Sequence, residues 1–134
     1  MKILLLFIIT AVVFFAIDMI WIGSIARDFY KNKIGFIMGR PNWIAAGIFY
    51  VIYISGIIYF AVYPHLKTGN WQTFLLNGAL LGALCYATYD LTNMATLKNW
   101  PWSMVWIDIV WGIALTGSTA VLAGIIAQKW LGIE

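Results

Sequence analysis

Apolar side chains fill the chain in four long blocks, separated by three short stretches where charge, proline and glycine gather. The blocks cover about residues 3–26, 42–63, 71–94 and 102–127. Each has roughly the 20 residues an α-helix needs to cross a bilayer. The first block is interrupted only by Asp18 and carries no small-x-small cleavage site, so it reads as a retained span rather than a cleaved leader. In the stretch from Arg27 to Arg40, Arg27, Lys31, Lys33 and Arg40 interleave with Phe29, Tyr30, Phe36 and Met38. That mixture suits a short interfacial helix among lipid headgroups. Pro41 fits the first turn of the second span, where its missing N–H costs nothing. Pro64 to Asn70 reads as a turn, and Lys98-Asn99-Trp100-Pro101 as a short connection. The expected fold is all-α: a polytopic membrane protein, a four-transmembrane-helix bundle with short loops, in one domain over residues 1–134.

Composition makes the bilayer the solvent. Of the 134 residues 63% are hydrophobic and 10% charged, against roughly 25% charged in a soluble domain. Mean hydropathy is +0.90. Four spans leave no length for a soluble domain beside them. Trp43, Trp71, Trp100, Trp102 and Trp130 fall near span ends, where indole anchors at the headgroups; Trp106 suits anchor and pocket wall equally. The first and third loops carry Arg27, Lys31, Lys33, Arg40 and Lys98, whereas Lys2, Lys67 and Lys129 lie on the other side. The positive-inside rule then places both termini outside. A net charge of +3 gives no nucleic-acid footprint.

The chemistry lies in three acids within the blocks: Asp18, Asp90 and Asp108. Each costs about 2.5–3.5 kcal/mol at mid-span on insertion scales, so the bundle must compensate them or use them. Asp18 stands eight residues before Ala26, Asp90 eight before Lys98, and Asp108 seven after Pro101. At 1.5 Å per residue all three sit about 12 Å from the same membrane side. Ala79, Gly82, Ala83 and Tyr86 share a stripe with Asp90 and Asn93, and Gly78-x-x-x-Gly82 has the small-xxx-small form, so span three is expected at the centre. Asp-x-x-Trp recurs in spans one and four, placing Trp21 and Trp111 one turn from Asp18 and Asp108. No lysine or arginine shares the acids' depth. Donors must come from Trp21, Trp111, Tyr86, Tyr89, Asn93, Thr88 or Thr92, or the acids must carry protons. Interhelical glue worth about 0.6–2 kcal/mol per polar pair explains one such acid more readily than three in a layer.

Absences narrow the field. His65, the only histidine, lies at the opposite side from the acids, which excludes histidine-box chemistry and a Ser-His-Asp triad using them. No P-loop, dinucleotide fingerprint or Cys-x-x-Cys occurs, and lone Cys85 is expected to pack. No metal site or cofactor is implied, since three aspartates on three helices have no diagnostic cation spacing.

The run Tyr86-Ala87-Thr88-Tyr89-Asp90-Leu91-Thr92-Asn93-Met94-Ala95-Thr96-Leu97, followed by Trp100-Pro101, Asp108 and Trp111-Gly112, resembles an uncharacterised family of small predicted bacterial membrane proteins, domain of unknown function 2177. The resemblance covers the whole chain, with Tyr-Asp-Leu-Thr-Asn its most specific part. It implies a multi-pass protein of the bacterial inner membrane and brings no activity. Function is therefore expected from the residues: a pocket of Asp18, Asp90 and Asp108 walled by Asn93, Tyr86, Trp21 and Trp111. It would bind a small amphiphile, lipid or cation, with movement coupled to protons. One alternative is an embedded enzyme using paired aspartates as general acid and base on a lipid or isoprenoid. Another is an accessory subunit of a membrane complex. Transport would call for a homo-oligomer, since four helices offer few surfaces for alternating access.

Overall fold

The computed structural model describes residues 2–132, apart from the side chain of Ile25, so the ends of the expected 1–134 domain lie outside the described residues. Helix α1 spans Lys2–Trp21, continues through a π-helical segment, Ile22–Ala26, into α2, Arg27–Ile34, and ends in a 3₁₀ turn, Gly35–Ile37. Helix α3 spans Trp43–Gly56, followed by a π segment at Ile57–Val62 and a 3₁₀ turn at Tyr63–His65. Helix α4 is Trp71–Thr96, and α5 is Trp102–Ile126 with a π-helical tail, Ala127–Leu131. Four stretches are long and apolar enough to cross a membrane: Lys2–Ser24, Trp43–His65, Trp71–Thr96 and Trp102–Leu131.

Helix starts follow local chemistry. Asn42 caps α3 by accepting from the Ala45 N–H at 3.0 Å, and Asn70 caps α4 by accepting from the Thr73 N–H at 3.0 Å. Pro41 therefore stands just before the cap rather than in the first turn. The interfacial helix expected after the first span is α2, but no loop separates the two. The π segment carries one helix directly into the other.

Spans three and four make the tightest pair. A Cβ on Gly78 would lie 2.7 Å from the Ala120 Cβ and 2.8 Å from the Thr116 carbonyl oxygen. A Cβ on Gly82 would strike the Gly112 carbonyl, and one on Gly112 would enter the Tyr86 ring. Glycine is required at Gly78 and Gly82 because the backbone of span four lies against them, and at Gly112 because the Tyr86 side chain does. Buried residues run down α5 from Met104 to Gly124, whereas α4 buries only Phe74, Gly78, Gly82 and Asp90. Span four, not span three, is the central helix, because α1 and the second span pack on it as well as α4.

Away from the acids the core is aromatic and aliphatic. Phe14 meets Tyr53 edge-on with ring centroids 5.7 Å apart, and the Tyr53 and Thr116 hydroxyls hydrogen-bond at 2.7 Å. At the far end, Gln128 donates from Nε2 to the Leu66 and Gly69 carbonyls, 2.9 Å each, tying span four to the turn that holds His65. His65 thus lies away from the acids, as its sequence position implies.

Candidate functional site

Asp18 on α1, Asp90 on α4 and Asp108 on α5 are 7%, 0% and 6% exposed. They form a row with Asp108 in the middle. Its carboxyl faces that of Asp90 and lies within electrostatic reach of Asp18. Among the described residues no three His, Cys, Asp or Glu side chains are grouped closely enough to hold a metal.

The two Asp-x-x-Trp motifs pair across helices rather than within them. The Trp111 indole N–H donates to Asp18 Oδ1 at 3.3 Å, crossing from α5 to α1. The Trp21 indole N–H donates to the Tyr30 hydroxyl at 3.2 Å, and Tyr30 donates in turn to Asp108 Oδ1 at 2.6 Å. The two indoles stack, with centroids 4.5 Å apart and planes 11° from parallel. Each aspartate is therefore served from another segment. Burial, then the hydrogen bond to Asp108 and its charge, pushes the Tyr30 phenol above its ordinary value, which keeps its proton in place as the donor.

Tyr30, on the expected interfacial helix, is not among the site residues expected from the sequence. It reaches Asp108 because α2 folds over the start of span four, seating Phe29, Tyr30 and Ile34 against Trp100, Met104 and Val105. Trp43, Trp71, Trp102 and Trp130 are 52–81% exposed, as anchors should be. Trp100 is not one of them: it is 5% exposed, meets Tyr89 edge-on at 5.9 Å, and forms the seat on which α2 rests. Its indole N–H has no partner in the protein. Trp106 stacks on Trp102, is exposed, and lines neither of the two cavities described below.

Threonines expected as donors are occupied elsewhere. Thr88 donates to the Leu84 carbonyl, and Thr92 to the Thr88 and Tyr89 carbonyls of its own helix. Asp90 is left with no N–H or hydroxyl donor to either carboxyl oxygen and faces only the Asp108 carboxyl, near enough to share a proton with it. A buried polar group so placed costs free energy unless something supplies a proton or a donor.

Two cavities meet at Asp108. One, about 270 Å³, lies beneath α2 and is lined by Asp18, Trp21, Tyr30, Tyr86, Tyr89, Asp108 and Trp111 with Ile22, Ile34, Met38 and Met104. The other, about 340 Å³, lies between spans two, three and four and is lined by Phe49, Tyr53, Cys85, Tyr86, Tyr89 and Asp108. No basic side chain lines either. Of the expected site residues, Asp18, Asp108, Trp21, Tyr86 and Trp111 come together at the first cavity. Asp90 backs onto Asp108 without lining either space, and half-buried Asn93 lines neither.

No curated protein and no solved structure matches this chain. The chain belongs to the family described as predicted membrane protein (DUF2177), whose profile matches residues 3–125. With four apolar spanning helices, it is a multi-pass membrane protein.

Proposed function

Starting from a family that supplies a membrane setting and no activity, we propose that this protein binds a small amphiphile at the acid row, beneath the helix α2. The reading rests on one observation: Asp108 is buried, borders both cavities, and is held by a phenol from α2 rather than by a basic residue. An intramembrane acid without a basic partner is costly, which favours use over neutral packing. The aromatic walls and the pair of spaces fit the common plan of ligand sites, mostly apolar with a few convergent polar groups. Native mass spectrometry from lipid nanodiscs tests the reading. Wild-type protein should retain a small molecule that Asp108→Asn releases while its helices still melt cooperatively. A retained species indifferent to both Asp108→Asn and Asp90→Asn would sink it.

A second reading is favoured by the unlike surroundings of the two facing acids. Asp108 accepts from a phenol, whereas Asp90 has no donor. Carboxyls held apart in this way are suited to act as general acid and general base, here on a lipid or isoprenoid. The host's lipid profile should then change on deletion, and return with wild type but not with Asp90→Asn.

A further inference from the structure

We infer that the ligand is an amphiphilic organic cation, with an ammonium-type head beside Asp108 and an apolar chain running past Tyr86 and Tyr89 into the space lined by Phe49, Tyr53 and Cys85. This deepens the binding reading above and rests on it. The two cavities differ in chemistry and share three residues, Tyr86, Tyr89 and Asp108. Under α2 the walls carry two carboxyls, two indoles and three phenols beside the apolar Ile22, Ile34, Met38 and Met104. On the other side of Tyr86 every lining residue except Asp108 is an aromatic or a cysteine. A molecule occupying both spaces therefore needs one polar end and one apolar end.

The sign of the polar end follows from the groups around it. Asp18 and Asp108 line the head space, and Asp90 faces Asp108 from behind, fully buried and with no N–H or hydroxyl donor to either oxygen. No lysine, arginine or histidine lines the space to receive an anion. Aromatic faces attract organic cations through the ring quadrupole, most strongly where water is excluded. A compact inorganic cation would need a shell of several oxygen ligands, and the acids stand in a row rather than around a point. A quaternary ammonium requires no such shell, because its alkyl groups leave it weakly hydrated and it accepts ring faces in place of water.

The test uses matched amphiphiles: a dodecyl chain ending in trimethylammonium, in hydroxyl or in sulfate, dialysed against protein-loaded and empty nanodiscs. Dodecyltrimethylammonium should show saturable binding above empty discs, at least tenfold tighter than the alcohol and absent for the sulfate. Asp108→Asn keeps an oxygen for the Tyr30 hydroxyl and removes the charge, so it should weaken that binding at least tenfold. Phe49→Ala, at a half-exposed position on the lip of the apolar space, should weaken the dodecyl probe several-fold and leave a butyl homologue unchanged. Equal saturable binding of all three probes, abolished by Phe49→Ala, would leave the pocket standing and overturn its selectivity for cations. Saturable binding by none of them would overturn both.

Discussion

Tyr30 carries the hydrogen bond with most at stake. Its hydroxyl receives from Trp21 and gives to Asp108, so one oxygen joins span one, α2 and span four. Bonds to charged groups contribute about 1.5–3 kcal/mol in proteins, whereas bonds inside bilayers average about 0.6. Tyr30→Phe should therefore lower unfolding free energy by about 1–3 kcal/mol, measured by denaturant titration in mixed micelles. In an Asp108→Leu background the same change should cost less than half as much; an undiminished cost would mean that Tyr30 acts through packing alone. The pH dependence has a defined sign. A phenol pushed above its ordinary value of 10.0 contributes its full stabilisation below that pH and loses it in more alkaline solution. The wild-type minus Tyr30→Phe stability difference should stay flat from pH 6 to 9 and shrink above 10.

Glycine spacing governs the next scale. Gly82→Ala would force a methyl onto the Gly112 carbonyl, and backbone cannot give way as a side-chain tip can. Overpacking of this kind costs about 1–3 kcal/mol, so Gly82→Ala should lower the thermal midpoint of the bundle. Gly47 on α3 has nothing within 4 Å of where its Cβ would lie. Gly47→Ala should be neutral or slightly stabilising, since alanine favours helix by about 1 kcal/mol. Four spans were legible because bilayer thickness dictates their length, and the acid level because the distance to a loop fixes depth. Which helix lies at the centre was not legible, since spans three and four both carry the small residues that permit close approach. Crossed pairing of the Asp-x-x-Trp motifs depends on how each helix is rotated about its axis, which spacing within one helix leaves open. The contacts of Tyr30 and Trp100 are not legible for one shared reason: aromatics near span ends look alike in sequence whether they anchor in headgroups or pack beneath a folded-over helix.

For the whole molecule, the end of the bundle that reaches water sets where a ligand enters. The acid row lies nearer the end formed by α2 and the connection from Thr96 to Trp102, and α2 roofs the first cavity there. Arg27, Lys31, Lys33, Arg40 and Lys98 belong to that end, and Lys2, Lys67 and Lys129 to the other. Basic residues in short loops stay on the cytoplasmic side, so the charge balance predicts that the α2 end faces the cytoplasm and that the proposed ligand space opens nearer the inner leaflet. The broad apolar outer surface, including Trp43, Ile44, Val51 and Ile52 on span two, then faces acyl chains, as a spanning bundle requires. Single cysteines in a Cys85→Ala background can measure the orientation with a membrane-impermeant maleimide on intact cells. Lys67→Cys, on the turn after span two, should label from outside. Lys33→Cys, on α2, should label only after the membrane is opened. The reverse pattern would place the acids and their covering helix nearer the outer leaflet, and the ligand would then have to be drawn from outside the cell.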